Sequence, residues 1–339
     1  MSTPFFSIVI PVYNGLTHDL PVCLNSIWEQ SLDIQLYEVI CVDDCSTDGS
    51  RQWLKEQQKV HPNVYIIENE ENIRQGGSRN KGVKAARGKY IVFIDQDDYY
   101  HRESITAAYN HLQKEELDIL IVDCAYQSPG KVSNTLQHNF PNRNIMSGDE
   151  IIETNSIPYA PWKFIFLRSH MIDNNLFFAE NERIEDVDWV HKLVHYARRV
   201  QYQPILFIHY NKTSISTTMT SYKSGETVYS TLRLSKRMHE MLQTTFASSS
   251  QGVKAEIERI ANMMGYLGLR SYFFFYDSIK NKQQQIKQNL HCTNKQKSLV
   301  KMGLKHPTLF SAISNIVSPL GNFAMYIYRW IKYSNAFLL

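Results

Sequence analysis

Cysteine is scarce in this chain of 339 residues: five in all, Cys23, Cys41, Cys45, Cys124 and Cys292, an odd number. None forms a CxxC pair, which argues for reduced, structural thiols in a cytosolic setting. No uninterrupted apolar run reaches the roughly 20 residues that span a bilayer. The start, Met1-Ser2-Thr3-Pro4, places no basic segment ahead of an apolar one, so no secretory leader is expected. Acid is absent from one whole region. Between Ser278 and Leu339 there is no Asp or Glu, against nine Lys and Arg. Since the chain carries a net +3, taking away this +9 leaves residues 1–277 at −6. An asymmetry of that kind predicts a basic tail that meets something anionic. What is present is an ordinary apolar fraction of 43%, enough for a sizeable core in one large domain or two.

Strand and helix patterns alternate through the first half. Phe6 to Pro11, Tyr37 to Val42, Val64 to Glu68 and Tyr90 to Ile94 read as strands. Leu20 to Gln30, Asp48 to Val60 and Gly76 to Arg87 read as helices, the second capped by Ser46 or Asp48, the third opened by a Gly pair. This order predicts an α/β fold with a parallel sheet covered on both faces. In such sheets ligands bind beyond the carboxyl ends of the strands. Later, Asp118 to Ala125 and Ile205 to Tyr210 read as strands, and residues 126–148 as loop. Arg183 to Trp189 leads into a helix, and from about Tyr222 the chain reads as helices.

The polar clusters fall at those strand ends. Ile91-Val92-Phe93-Ile94 runs directly into Asp95-Gln96-Asp97-Asp98. Carboxylates held rigidly at one edge repel one another unless a cation or charged ligand sits among them. Their oxygens suit Mg²⁺ or Mn²⁺, ions that bridge to phosphates. The plainer reading makes Asp97 or Asp98 the cap of a helix starting near Tyr99.

In order, these clusters resemble the family 2 inverting glycosyltransferases of the GT-A fold. The matching residues are Ser7 to Asn14, Val42-Asp43-Asp44-Cys45-Ser46-Thr47-Asp48-Gly49-Ser50, Glu71-Asn72 with Gly77 to Gly82, Ala86 to Tyr90 running into Asp95-Gln96-Asp97-Asp98, Trp162-Lys163, and Glu185-Asp186. They cover residues 5–220, which sets the expected domains: 1–220 catalytic, Rossmann-like with a mostly parallel sheet, and 221–339 a helical C-terminal extension. Two departures stand out. Cys45 and Arg74 occupy places where the family commonly has Gly.

The resemblance implies a role for each cluster. Pro11, Val12, Tyr13 and Asn14 would frame a nucleobase, and Asp43 or Asp44 would accept from the ring N–H of uracil or thymine. Asn72, Arg79, Asp95 and Gln96 would contact the nucleotide sugar. Asp97 is the first choice as metal ligand for Mn²⁺ or Mg²⁺, with Asp95 on ribose or metal, Asp98 behind them, and His209 a further ligand or else a packed residue. Asp186 would be the catalytic base, supported by Glu185, with Asp188 in reserve. Trp162 is either an acceptor platform or core. Arg79 is otherwise a surface cation.

The implied partners are a nucleotide-sugar donor, a UDP-sugar first, and a glycan or lipid-linked acceptor in surface polysaccharide or lipopolysaccharide assembly. The absence of a QxxRW motif favours transfer of a single sugar. Within the basic tail, residues 295–339 show apolar residues at helical spacing (Leu309, Phe310, Ile313, Ile316, Val317) and Tyr326, Tyr328, Trp330 and Tyr333 beside Arg329 and Lys332. Such helices lie in membrane interfaces, so a peripheral contact at the inner face of the membrane is expected. A dimer seam is the alternative, and homo-oligomers stay open. Nucleic acid is not expected, because the basic residues are spread out. Two rival functions remain. A nucleotidyltransferase making a nucleotide sugar would want a Gly-rich basic loop, which Pro11-Val12-Tyr13-Asn14-Gly15 does not supply. A non-catalytic sugar-nucleotide binder would not need both carboxylate clusters.

Overall fold

The computed structural model describes residues 3–128, 131–136, 140, 143–154, 157–211 and 225–274. The chain falls into two compact units, Met1–Ser216 and Thr217–Leu339. The first is built on a sheet whose central strands are β1 (Phe6–Val12), β2 (Tyr37–Asp43) and β4 (Tyr90–Phe93), buried at every position. Continuous apolar strands of this kind need cover on both faces. With β3 (Val64–Glu68) they run parallel in the order β3-β2-β1-β4.

Past β4 the sheet is mixed. β8 (Phe164–Leu167) is antiparallel to β4 and to β6 (Ile119–Ser128). β6 runs parallel to β9 (Val200–Asn211), which holds the two-residue β5 (Tyr99–Tyr100) antiparallel. The segment read as loop between 126 and 148 in fact carries β7 (Lys131–Leu136), hairpin-paired to β6. Its polar sequence, Lys-Val-Ser-Asn-Thr-Leu, gave no apolar run to announce it.

Helices α1 (Leu20–Trp28), α2 (Ser50–Val60) and α3 (Arg74–Ala85) join the parallel strands. α2 starts two residues later than the sequence reading placed it. Neither Ser46 nor Asp48 is its N-cap: Gly49 holds that place at φ 91°, while Asp48 Oδ1 accepts from Ser50 N at 3.0 Å. α3 starts two residues earlier than its Gly pair. It lies close on the sheet at Gly82, where an added Cβ would stand 2.3 Å from Val9 Cγ1. No helix starts near Tyr99, because Tyr99 and Tyr100 pair with His209 and Ile208; α4 (Ser104–Leu112) follows instead.

Two short helices, α5 (Gly148–Glu153) and α6 (Arg168–Asp173), precede α7 (Asp186–His195). α7 is pinned by Trp189, which is fully buried. Its ring stacks on Phe178 at 4.1 Å and meets Phe93 and Phe166 edge-on, and its Nε1 donates to Leu176 O at 2.8 Å. Truncating such a ring costs about 3–5 kcal/mol, so the start of α7 is held firmly against the end of β4. In the second unit, the helices Gly225–Gln243 and Gln251–Phe274 pack together, and Ser235 Oγ donates to Ala261 O at 2.7 Å. Among the described residues no helix is long and apolar enough to cross a membrane. The tail expected to form interfacial helices, 295–339, lies outside the described residues.

Candidate functional site

The parallel register aligns the ends of three strands. Val12 pairs with Asp43, Asp43 with Glu68, and Val9 with Phe93. Tyr13-Asn14, Asp43-Asp44 and Asp95-Gln96 therefore leave the sheet at one edge. Local bonds then tie these segments together. Gln96 exchanges two hydrogen bonds with the backbone of Tyr13: Tyr13 N donates to its Oε1 at 2.8 Å and its Nε2 donates to Tyr13 O at 2.9 Å. Asn14 N donates to Ser46 Oγ at 2.9 Å, and Thr47 N donates to Asn14 Oδ1 at 2.8 Å. Pro11 and Val12 are buried, whereas Tyr13 is 48% exposed and offers a ring face at the rim.

The two aspartates at the end of β2 differ. Asp44 Oδ1 accepts from Asn69 Nδ2 and Ile73 N, both at 2.8 Å, and Asn72 Nδ2 donates to Asp44 O at 3.3 Å. These bonds make Asp44 the knot of the loop leading into α3. Asp43 is held by Arg51, whose Nε and Nη2 lie 2.9 and 2.8 Å from its Oδ2. Arg51 and Asn69 escaped the sequence reading; nothing in a helix-surface Arg or a post-strand Asn announces a buried partner.

Arg79 is the centre of the arrangement. It lies in the middle of α3 and is 2% exposed, not the surface cation that was the alternative reading. Nη2 reaches Asp95 Oδ1 at 2.6 Å and Nη1 reaches Glu185 Oε1 at 2.8 Å, while the guanidinium sits over Phe93 and Phe178. One cation thus joins the end of β4 to the start of α7, its bond to Glu185 spanning 106 positions of sequence. Gly76 makes room for this, since a Cβ there would stand 3.0 Å from Glu185 Cγ and 3.0 Å from Ala179 O.

Burial sets the electrostatics of the carboxylates. Glu185 is pushed up to about 7 by desolvation, against the opposing pull of Arg79. Asp186 is pushed up to about 6 by the same balance, and its Oδ1 accepts from Val187 N at 2.9 Å. Desolvation and the nearby Asp95 and Asp97 hold Asp98 well above the usual carboxylate range. Asp98 Oδ1 accepts from Asn211 N at 2.9 Å, and its Oδ2 is buried with no hydrogen-bond partner. Closely spaced carboxylate oxygens are the kind of donor a hard divalent cation takes. Among the described residues, however, no cluster of three or more His, Cys, Asp and Glu closes around a point that could hold a metal.

Two predicted residues sit differently from the rest. His209 stacks on Tyr99 at 4.7 Å, and its Nε2 lies 2.9 Å from His101 Nδ1, so the nitrogen facing that neighbour is already taken. Burial, then His101, lowers its basicity. Trp162 is 6% exposed and stacks on Tyr210 at 5.7 Å, which leaves little ring face to offer. Beside it Lys163 is buried, and that burial lowers its affinity for a proton. The two residues where Gly was expected both take a left-handed backbone: Cys45 at φ 70° and Arg74 at φ 65°. That is the conformation Gly adopts without cost.

The family model described as Glycosyl transferase family 2 matches residues 7–177. The poly(ribitol-phosphate) beta-glucosyltransferase of Bacillus spizizenii is 43% identical over 117 residues, 34% of this chain and 18% of that protein. The poly(ribitol-phosphate) beta-N-acetylglucosaminyltransferase TarS of Staphylococcus aureus is 28% identical over 233 residues, 68% of this chain and 39% of that protein. The chain therefore spans well under two thirds of the length of either relative. The solved structure of TarS with UDP-GlcNAc superposes with a TM-score of 0.61 at 23% identity, over 84% of this chain and 78% of that one. A mannosyltransferase from Pyrobaculum calidifontis, solved with GDP-Man and Mn²⁺, gives 0.54 at 13% identity, over 93% and 88%. At these identities the superpositions establish the shared fold.

Proposed function

The chain belongs to glycosyl transferase family 2, and on that premise we propose that it moves one sugar from a UDP-sugar to a glycan or lipid-linked acceptor, with inversion, in the assembly of a bacterial surface polysaccharide. The observation that carries this reading is the buried Arg79, which pairs with Asp95 and with Glu185, the chain neighbour of the candidate base Asp186. The names of the relatives support it: both act on poly(ribitol-phosphate), and one has been solved with UDP-GlcNAc.

In this reading the nucleobase lies on Tyr13 beside Asp43. Asp97 and Asp95 are the residues that would hold a Mn²⁺ or Mg²⁺; two carboxylates with substrate phosphates completing the shell is how such ions are commonly held. The ion would offset the charge growing on the leaving diphosphate. The protein supplies the rest. Asp186 takes the proton from the acceptor hydroxyl. That oxygen bonds to the anomeric carbon from the face opposite the diphosphate as the bond to the phosphate oxygen breaks. Glu185, tied to Arg79, keeps α7 in place so that the base faces the acceptor.

Turnover of UDP-sugars with Mn²⁺, read as UDP release, tests the reading. Replacing a positioned base costs about 10²–10⁴-fold in rate, so Asp186→Asn is expected to lose that much while still binding UDP. Full turnover by Asp186→Asn would remove Asp186 as the base. The segment 295–339 is proposed to rest on anionic lipid. Binding to phosphatidylglycerol vesicles that falls with rising salt is the expected result.

A further inference from the structure

Asp43 closes β2 with its side chain fully buried, and its two oxygens are treated differently. Oδ2 accepts from Arg51 Nε at 2.9 Å, from Arg51 Nη2 at 2.8 Å and from Ser46 N at 3.4 Å. Oδ1 has no hydrogen-bond partner. A buried acceptor left unpaired loses its solvation without a bond in return, and such an atom calls for an explanation. It lies at the strand edge where the other site residues gather, in register with Val12. Asp44 offers no parallel, since its Oδ1 already accepts two hydrogen bonds from the chain.

Arg51 determines how Asp43 is presented. It reaches the carboxylate from the second residue of α2 with a two-nitrogen fork, a geometry that Lys cannot copy. The fork is backed in turn. Arg51 Nε lies 3.4 Å from Glu68, and Lys55 holds Glu68 from the next turn at 2.7 Å. Gripped at Oδ2, the carboxyl is held in one orientation, with Oδ1 the unpaired oxygen.

Resting on the UDP-sugar reading above, we propose that Arg51 is a positioning residue that sets nucleobase choice through Asp43. A carboxylate accepts and does not donate. Uracil and thymine present an imide N–H to it. Cytosine presents a bare ring nitrogen at the same place, lone pair against anion. The fixed Oδ1 therefore selects imide bases by attraction and rejects cytosine by repulsion. Without the fork the carboxyl is free to turn. Uracil then loses its acceptor, and cytosine loses the repulsion.

The test is calorimetric binding of UDP and CDP, each with Mn²⁺, to the wild-type chain, Arg51→Gln and Arg51→Lys. Wild type is expected to prefer UDP. One lost hydrogen bond to a charged group corresponds to about tenfold in affinity, so Arg51→Gln should bind UDP about tenfold more weakly. CDP should change little or improve, and the UDP-over-CDP ratio should narrow by at least that factor. Arg51→Lys, which keeps the charge without the fork, should regain only part of the ratio, and it answers the same question should Arg51→Gln not fold. An Arg51 that merely supports the fold would weaken both nucleotides together; an unchanged ratio in either variant overturns the inference while leaving the transferase reading intact. A wild-type chain that binds neither nucleotide overturns the UDP-sugar reading itself.

Discussion

Arg79 and the carboxylates around it bind one another at the scale of single residues. Its guanidinium keeps Asp95 and Glu185 paired in a buried place, and it is the main influence pulling Glu185 and Asp186 back toward their ordinary range. Breaking a buried ion pair from one side costs about 3–5 kcal/mol. Arg79→Gln is expected to lose stability on that scale, read by urea unfolding. It also changes the pH profile. The base works only when ionised, and Asp186 sits at about 6, so wild-type turnover should fall as pH drops through 6. Removing Arg79 takes away the largest influence opposing desolvation, so that acid limb should move to higher pH. A stable variant whose limb stays in place would show that Asp186 is not the titrating group. The resemblance gives Arg79 a contact with the nucleotide sugar. The sequence could not show that this Arg is buried, because its neighbours in α3 are Gly, Ser, Asn and Lys and form no apolar stripe.

At the scale of elements, α3 and the loops before it carry the site on close backbone approaches. Gly82→Ala puts a methyl group 2.3 Å from Val9 Cγ1, in a strand that cannot yield. Overpacking of this kind costs about 1–3 kcal/mol, and a drop in melting temperature should show it. Cys45 presents the opposite case. It holds φ 70°, and its Sγ reaches Glu70 O only at 3.4 Å. A left-handed L-residue costs about 1–2 kcal/mol, and the added freedom of the unfolded chain returns about 0.4–1 of it. Cys45→Gly is therefore expected to stabilise by up to about 1 kcal/mol in urea melts. Elements with long apolar runs were legible to within a residue or two: β3 was read at its observed bounds, and β1, β2 and β4 nearly so. β7 and the two-residue β5 were not legible, because pairing partners distant in sequence define them rather than any local pattern.

For the whole molecule, the proposed cation and the nucleotide should stabilise the fold together. A ligand at 100 times its Kd contributes about 2.7 kcal/mol. UDP with Mn²⁺ is expected to raise the melting temperature, chelation to abolish most of that rise, and Asp97→Ala to abolish it also. A full shift with UDP in the presence of chelator would separate nucleotide binding from the metal. The order of apolar strands, amphipathic helices and carboxylate clusters along the chain determined the α/β architecture and the family by itself, because strand burial and motif spacing are local properties written in consecutive residues. What only the tertiary structure decided is which of those residues meet. Arg79 bridges Asp95 to Glu185, Arg51 grips one oxygen of Asp43, and His209 turns toward His101. Those pairings join segments as far apart as 108 positions. They depend on which strands lie side by side and how closely helices rest on them, and no run of consecutive residues encodes that.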